Sequence, residues 1–183
     1  MTWEEMLAII AGSGVLSALI TLYGEGKLRS NDYKRDYYKK IIDKRIDAYE
    51  KMAKVLGRIG TKAYYSIDGE NKEIYVCFED YESLECANSE LISILNEVQW
   101  ISPQTYKELW RLNDVIASVF DRVLEDSKEG KVWTPGDFRD AGLNEFENIK
   151  NFLIVVNNAR LKDMAKLDKV EEFFKEQKCN LKS

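Results

Sequence analysis

Residues 6–23 read MLAIIAGSGVLSALITLY, eighteen positions without a charge, an amide or a proline. The reading of this stretch decides the fold. If it spans a bilayer, the chain is an anchor with a cargo; if it is buried, the chain is one soluble bundle. In the rest of the chain, Lys, Glu or Asp interrupts the apolar residues. As a helix the stretch would be about 27 Å long, close to the ~30 Å hydrocarbon core of a membrane. Met6, Leu7, Ile9, Ile10, Val15, Leu16, Leu19, Ile20 and Leu22 supply its apolar surface. Trp3 and Tyr23 stand at the two ends, where amphipathic rings favour the headgroup region.

Charge sets the direction. Glu4 and Glu5 precede the stretch, and Lys27, Arg29, Lys34, Arg35, Lys39, Lys40, Lys44 and Arg45 follow it. Positive flanks stay on the cytoplasmic side. The expectation is a single-pass protein of the inner (cytoplasmic) membrane, N-terminus out, with residues 1–26 as the anchor and residues 27–183 as a cytosolic helical domain. Three other readings compete. A cleaved signal peptide calls for a basic start, and this start is acidic. An in-plane helix calls for a charged face, and there is none. A buried core helix fits the marginal length.

The stretch has two unlike sides. Ala11, Gly14, Ser17 and Ala18 gather on one, the larger aliphatics on the other. Small residues let spanning helices approach closely, so Gly14-x-x-x-Ala18 is a candidate self-association face and a homo-oligomer a candidate state. Lys27, Arg29, Lys34, Arg35, Lys39 and Lys40 are candidate contacts for anionic lipid, with a solvated helix face as the plainer alternative.

Composition narrows the chemistry. The chain has 183 residues, of which 32% are charged, and a net charge of −5. About 150 residues remain beyond the anchor, enough for one domain. An acidic balance argues against nucleic acid as a partner. Cys77, Cys86 and Cys179 are odd in number and form no C-x-x-C, which suggests neither a disulfide framework nor a zinc site. Cys77 sits in an apolar run and reads as core. Histidine is absent, which removes Ser-His-Asp and Cys-His nucleophiles and His-containing metal sites. No phosphate loop, dinucleotide fingerprint or nucleophile elbow occurs. No enzymatic activity, cofactor or metal is expected. The acidic group Glu79, Asp80, Glu82 and Glu85 reads as helix capping, and Glu125, Asp126 and Glu129 as a solvated helix end.

Helical spacing organises the remainder. From about residue 31 to 59, Tyr38, Ile42, Ile46, Tyr49, Met52, Ala53, Leu56 and Ile59 fall on one stripe. Gly57 and Gly60 weaken and end it. β-branched and aromatic runs around Asp68-Gly69 predict a short hairpin. A helix from about residue 80 carries Leu84, Ala87, Leu91, Leu95 and Val98. Ser102-Pro103 and Thr134-Pro135 each pair an N-cap with an N1 proline. The first opens a helix with Tyr106, Leu109, Trp110, Val115 or Ile116, Val119, Phe120, Val123 and Leu124 inward. The second opens a long helix to about residue 167, with Phe138, Phe146, Ile149, Phe152, Leu153, Val156, Met164 and Leu167 inward. Asp168 is a candidate cap for a last helix over 170–177, with a loose tail from residue 178. Trp100, Trp110, Trp133 and Tyr106 read as core, with a partner-binding patch as the alternative.

The order of apolar span, basic linker and the helix opening KIIDKRIDAYEKM at 40–52 resembles small bacterial and phage proteins with an N-terminal membrane anchor and a cytosolic helical bundle. Those proteins share no common activity, so the resemblance implies topology and no mechanism. The expected fold is mainly α: an N-terminal transmembrane helix, then a bundle of about four helices with a short β-hairpin. The expected function is non-enzymatic interaction or scaffolding at the membrane, with membrane lipid and an unidentified protein as partners. The alternatives are a membrane-acting effector that oligomerises through its anchor, and a soluble helical regulator.

Overall fold

A computed structural model of the protein describes residues 32–67 and 69–180. The expected anchor at 6–23, its small-residue face, Lys27 and Arg29 lie outside the described residues. The chain divides into two units, 1–41 and 42–183. In the first, residues 32–41 are helical, and Lys34, Arg35, Lys39 and Lys40 are exposed together with Tyr33 and Tyr37. Among the described residues no helix is long and apolar enough to cross a membrane.

The second unit is mainly helical with one small sheet. Helix α1 is the part of the helical run 32–59 that belongs to this unit, residues 42–59. Strands β1 (Lys62–Ile67) and β2 (Glu70–Tyr75) pair antiparallel with Lys62 opposite Tyr75 and Ile67 opposite Glu70. Gly69 closes the hairpin at φ +81°, a region that favours a residue without Cβ. A single 3-10 turn, Val76–Phe78, leads into α2 (Tyr81–Leu95), capped by Asp80. Helix α3 (Pro103–Lys128) starts where Ser102 accepts from the Thr105 amide. Helix α4 (Pro135–Asn144) starts with a capping box between Thr134 and Asp137. Then come α5 (Phe146–Met164) and α6 (Val170–Asn180).

Helix α3 is the centre, packed against α2, α5 and α6. Of its buried residues, Thr105, Leu109, Leu112, Ile116, Val119 and Val123 alternate steps of four and three, a seam down one side, with buried Glu108 and Asn113 beside it. Trp110 and Leu124 lie off that seam. They are 45% and 37% exposed, correcting their expected inward placement, and Leu112 takes the core position instead. Val98 lies beyond the end of α2 and is likewise exposed.

The expected long helix over 135–167 is two helices. Glu145, at φ −96° and ψ 0°, separates them. Helix α4 packs on β2 and the 3-10 turn, whereas α5 lies along α3. One straight rod cannot follow both surfaces. Gly142 shows how close α4 comes: a Cβ there would stand 2.7 Å from Phe78 Cβ and 2.9 Å from Ile74 Cγ2. The last helix does not end at residue 177. Its backbone runs to Asn180, so the expected loose tail from 178 is helical at its start. The inward residues expected for 138–167 do belong to the core or pack against it.

Candidate functional site

The most elaborate polar arrangement lies where α1, α3, α5 and α6 meet. Tyr49 sits on the buried stripe of α1 and is fully buried. Its hydroxyl donates to Asp163 Oδ2 at 2.8 Å and accepts from the Ser102 amide at 3.1 Å. Thr105 Oγ1 donates to the same carboxylate oxygen at 2.5 Å. Gln177 on α6 donates to the Ile101 carbonyl at 2.7 Å. One carboxylate near the end of α5 thus gathers hydroxyls from α1 and from the first turn of α3.

Burial, and then the Asp163 carboxylate, push the Tyr49 phenol up to about 12. It remains a hydrogen-bond donor throughout the neutral range, and the cluster ties α1, α3 and α5 together. Arg45, one turn before Tyr49, is 2% exposed, with its guanidinium 4.0 Å above the Phe173 ring. Of the cations that follow the apolar run in sequence, Arg45 is thus one held inside the packed domain. Its Nε and Nη1 meet no acceptor among the described residues. A small cavity of about 30 Å³ lies there, bordered by Arg45, Ser102, Asp163 and Lys166. A shallower groove of about 430 Å³ adjoins it, bordered by Glu108, Val155, Asn158 and Lys162. Glu108 is buried but held by Gln104 and Arg111, each at 2.9 Å. The charges lining the two cavities are mixed, which gives neither sign of ligand a clear advantage.

A second groove of about 400 Å³ runs between α2, the end of α1 and the 3-10 turn. Cys77 and Cys86 both border it. Burial pushes the Cys77 thiol up to about 12, so it stays protonated and inert, as a core residue should. Cys86 is exposed, and its Sγ lies 3.8 Å from Glu90, which also pairs with Arg58. The side chain of Cys179 lies outside the described residues.

The acidic groups fall into place individually. Asp80 caps α2 by accepting from the Ser83 amide at 2.8 Å, and those bonds to Ser83 hold its carboxyl below the usual range. Among the described residues no three Cys, Asp or Glu side chains are grouped so as to hold a metal ion. Asp126 does more than end a helix in solvent. It accepts from Lys131 at 2.7 Å and from the Trp133 indole at 2.6 Å, fixing the loop before α4. Trp133 then packs on Phe138 with ring centroids 5.2 Å apart. Trp100, Tyr106 and Trp133 pack against the core, and Trp110 is the exposed member of the four aromatics.

Sequence reasoning placed Tyr49 on a buried stripe but missed its partners. Thr105 is the legible signal, a hydroxyl in the first position of an otherwise apolar seam. Asp163 carries none, because an aspartate near a helix end is ordinary.

No protein-family model, curated protein or solved structure matches this chain.

Proposed function

We propose that the protein is a membrane-anchored, non-enzymatic interaction protein that presents its helical domain at the cytoplasmic face of the inner membrane. The observation that carries this is the charge-free run 6–23, with acids before it and cations after it. The exposure of Lys34, Arg35, Lys39 and Lys40 on the helical residues 32–41 supports it. Exposed cations are available to anionic headgroups, each contributing about 1 kcal/mol near a charged surface. Concentrating the domain on a surface strengthens contacts that would be weak in solution. The partners under this reading are lipid and a protein, with a second copy of the chain as the first candidate.

The test is fractionation of the full chain with a carbonate wash, followed by protease treatment of spheroplasts. Retention in the pellet, with the C-terminal domain protected, is expected. Full release into the supernatant would make residues 6–23 a buried helix and end the membrane reading.

A further inference from the structure

Helix α5 is apolar on two sides. Its inner side, Ile149 and Val156, is buried. Its outer side leaves Ile154 53%, Val155 43% and Leu161 49% exposed. Positions 151, 154, 158 and 161 alternate steps of three and four, which is the spacing of a two-helix seam. They read Asn151, Ile154, Asn158 and Leu161, and all four are exposed.

We propose that this outer face of α5 pairs with the same face of a second copy, the two helices running parallel about a twofold axis. The proposal rests on the membrane reading above for its concentration, and it names the partner and the surface.

The asparagines choose the occupant. A side-chain amide carries both donor and acceptor, so two copies of one asparagine across a twofold satisfy each other. In a parallel pair Asn151 meets Asn151 and Asn158 meets Asn158, with Ile154 and Leu161 forming layers between them. In an antiparallel pair each amide would meet an aliphatic layer and lose its partner. A greasy partner of another kind would leave the same amides unsatisfied.

Charge permits the pairing. The positions flanking the seam on one side are Lys150 and Asn157, and on the other Val155 and Lys162. Parallel pairing sets Lys150 against Val155, and sets Asn157, which accepts from Arg160 of its own helix at 2.8 Å, against Lys162, so an amide stands between the cations on that side. Lys150 is already paired with Glu147 of its own helix at 3.0 Å.

The size of the face explains why the anchor matters. Three half-exposed aliphatic side chains offer roughly a few hundred Å², well short of the ~800 Å² per partner of a stable complex. The pair is therefore weak in dilute solution and forms where the anchor raises the effective concentration.

The experiment places single cysteines in the full chain, in a background with Cys86→Ser and Cys179→Ser, and treats isolated membranes with a short bismaleimide. Asn158→Cys should give a covalent dimer at several times the yield of Asp114→Cys, an exposed position on α3. Adding Ile154→Glu and Leu161→Glu to the Asn158→Cys chain should reduce the dimer to the Asp114 level. Circular dichroism of the same variants checks that the helices remain, as both substituted side chains are exposed. Equal yields at 158 and 114, or a dimer that survives the two glutamates, would overturn the pairing. So would cross-linking of Asn158→Cys to a different protein in its place. Carbonate extraction is scored on the same samples. A chain that stays in the pellet without the dimer loses this inference and keeps the membrane reading. A chain released into the supernatant loses the membrane reading. The pairing is then judged by sedimentation of the unsubstituted chain at high concentration, where a monomer overturns it.

Discussion

Helices α3 and α5 lie side by side, and they use apolar residues in opposite ways. On α3 the fully buried apolar positions follow one seam, half-buried Tyr106, Val115 and Phe120 pack beside it, and Trp110 and Leu124 are its large apolar residues left exposed. On α5 five consecutive apolar residues, Phe152, Leu153, Ile154, Val155 and Val156, wrap more than a full turn. A helix advances 100° per residue, so five in a row cannot all face one neighbour. Val156 is buried against the core, whereas Ile154 and Val155 are left outside. Burial saturates the seam of α3. The surplus on α5 is what leaves a surface with something to bind.

The largest test of that contrast is a truncation on each helix. Leu112→Ala on α3 should lower stability by about 3 kcal/mol, since it empties a fully buried site. Ile154→Ala on α5 should shift it by less than about 0.5 kcal/mol, as surface substitutions usually do. Urea unfolding of both variants reads the difference, and equal losses would break the distinction between saturated and surplus faces.

Next in size is the joint that turns the chain from α4 into α5. Gly142→Ala should destabilise by about 2 kcal/mol, because its Cβ would press on Phe78 and Ile74. A thermal melt unchanged by this substitution would show that α4 can retreat from β2 and that the break at Glu145 has another cause.

The hydroxyl latch between the ends of α3 and α5 comes third. Tyr49→Phe should cost about 1–2 kcal/mol, leaving the Ser102 amide without its acceptor and Asp163 with one donor fewer. It also has a pH signature. The folded-state pKa of Tyr49 is raised from 10.0 to about 12, so the unfolded chain loses this proton first. The stabilisation is fully present below about pH 10 and is lost as pH rises through 10 to 12. Cys77, raised from 9.0 to about 12, adds a loss that begins nearer pH 9. Alkaline unfolding of Tyr49→Phe should keep the Cys77 part and lose the Tyr49 part.

The smallest effect is a gain. Gly57 is exposed near the end of α1, with nothing within 4 Å of a Cβ built there. Gly57→Ala should raise stability by about 0.8 kcal/mol through helix propensity alone. A loss would mean that the contrast between open and saturated helix faces does not extend to α1.

Much of the secondary structure was legible. The Ser102-Pro103 and Thr134-Pro135 signals mark the starts of α3 and α4, and Asp68-Gly69 marks the hairpin. These depend on hydrogen bonds and torsions within a few residues, which the local sequence carries whole. Legibility fell where one residue's role depended on a distant surface. Trp110 and Leu124 have core chemistry but lie off the seam, and the neighbours that define the seam come from other helices. The candidate site was legible to the extent of Tyr49 as an inward residue, and not as a cluster.

The sequence by itself determined a mainly helical domain, its capped starts, its hairpin and the charge-free run at 6–23, because period, cap and turn chemistry act over a few residues. Tertiary structure alone decided that Arg45 is buried beneath Phe173 and that Glu145 divides one apolar pattern into two helices. It alone joined Tyr49 to Asp163, 114 positions away in the chain. Those choices depend on which surfaces meet, and that is settled when the elements pack together.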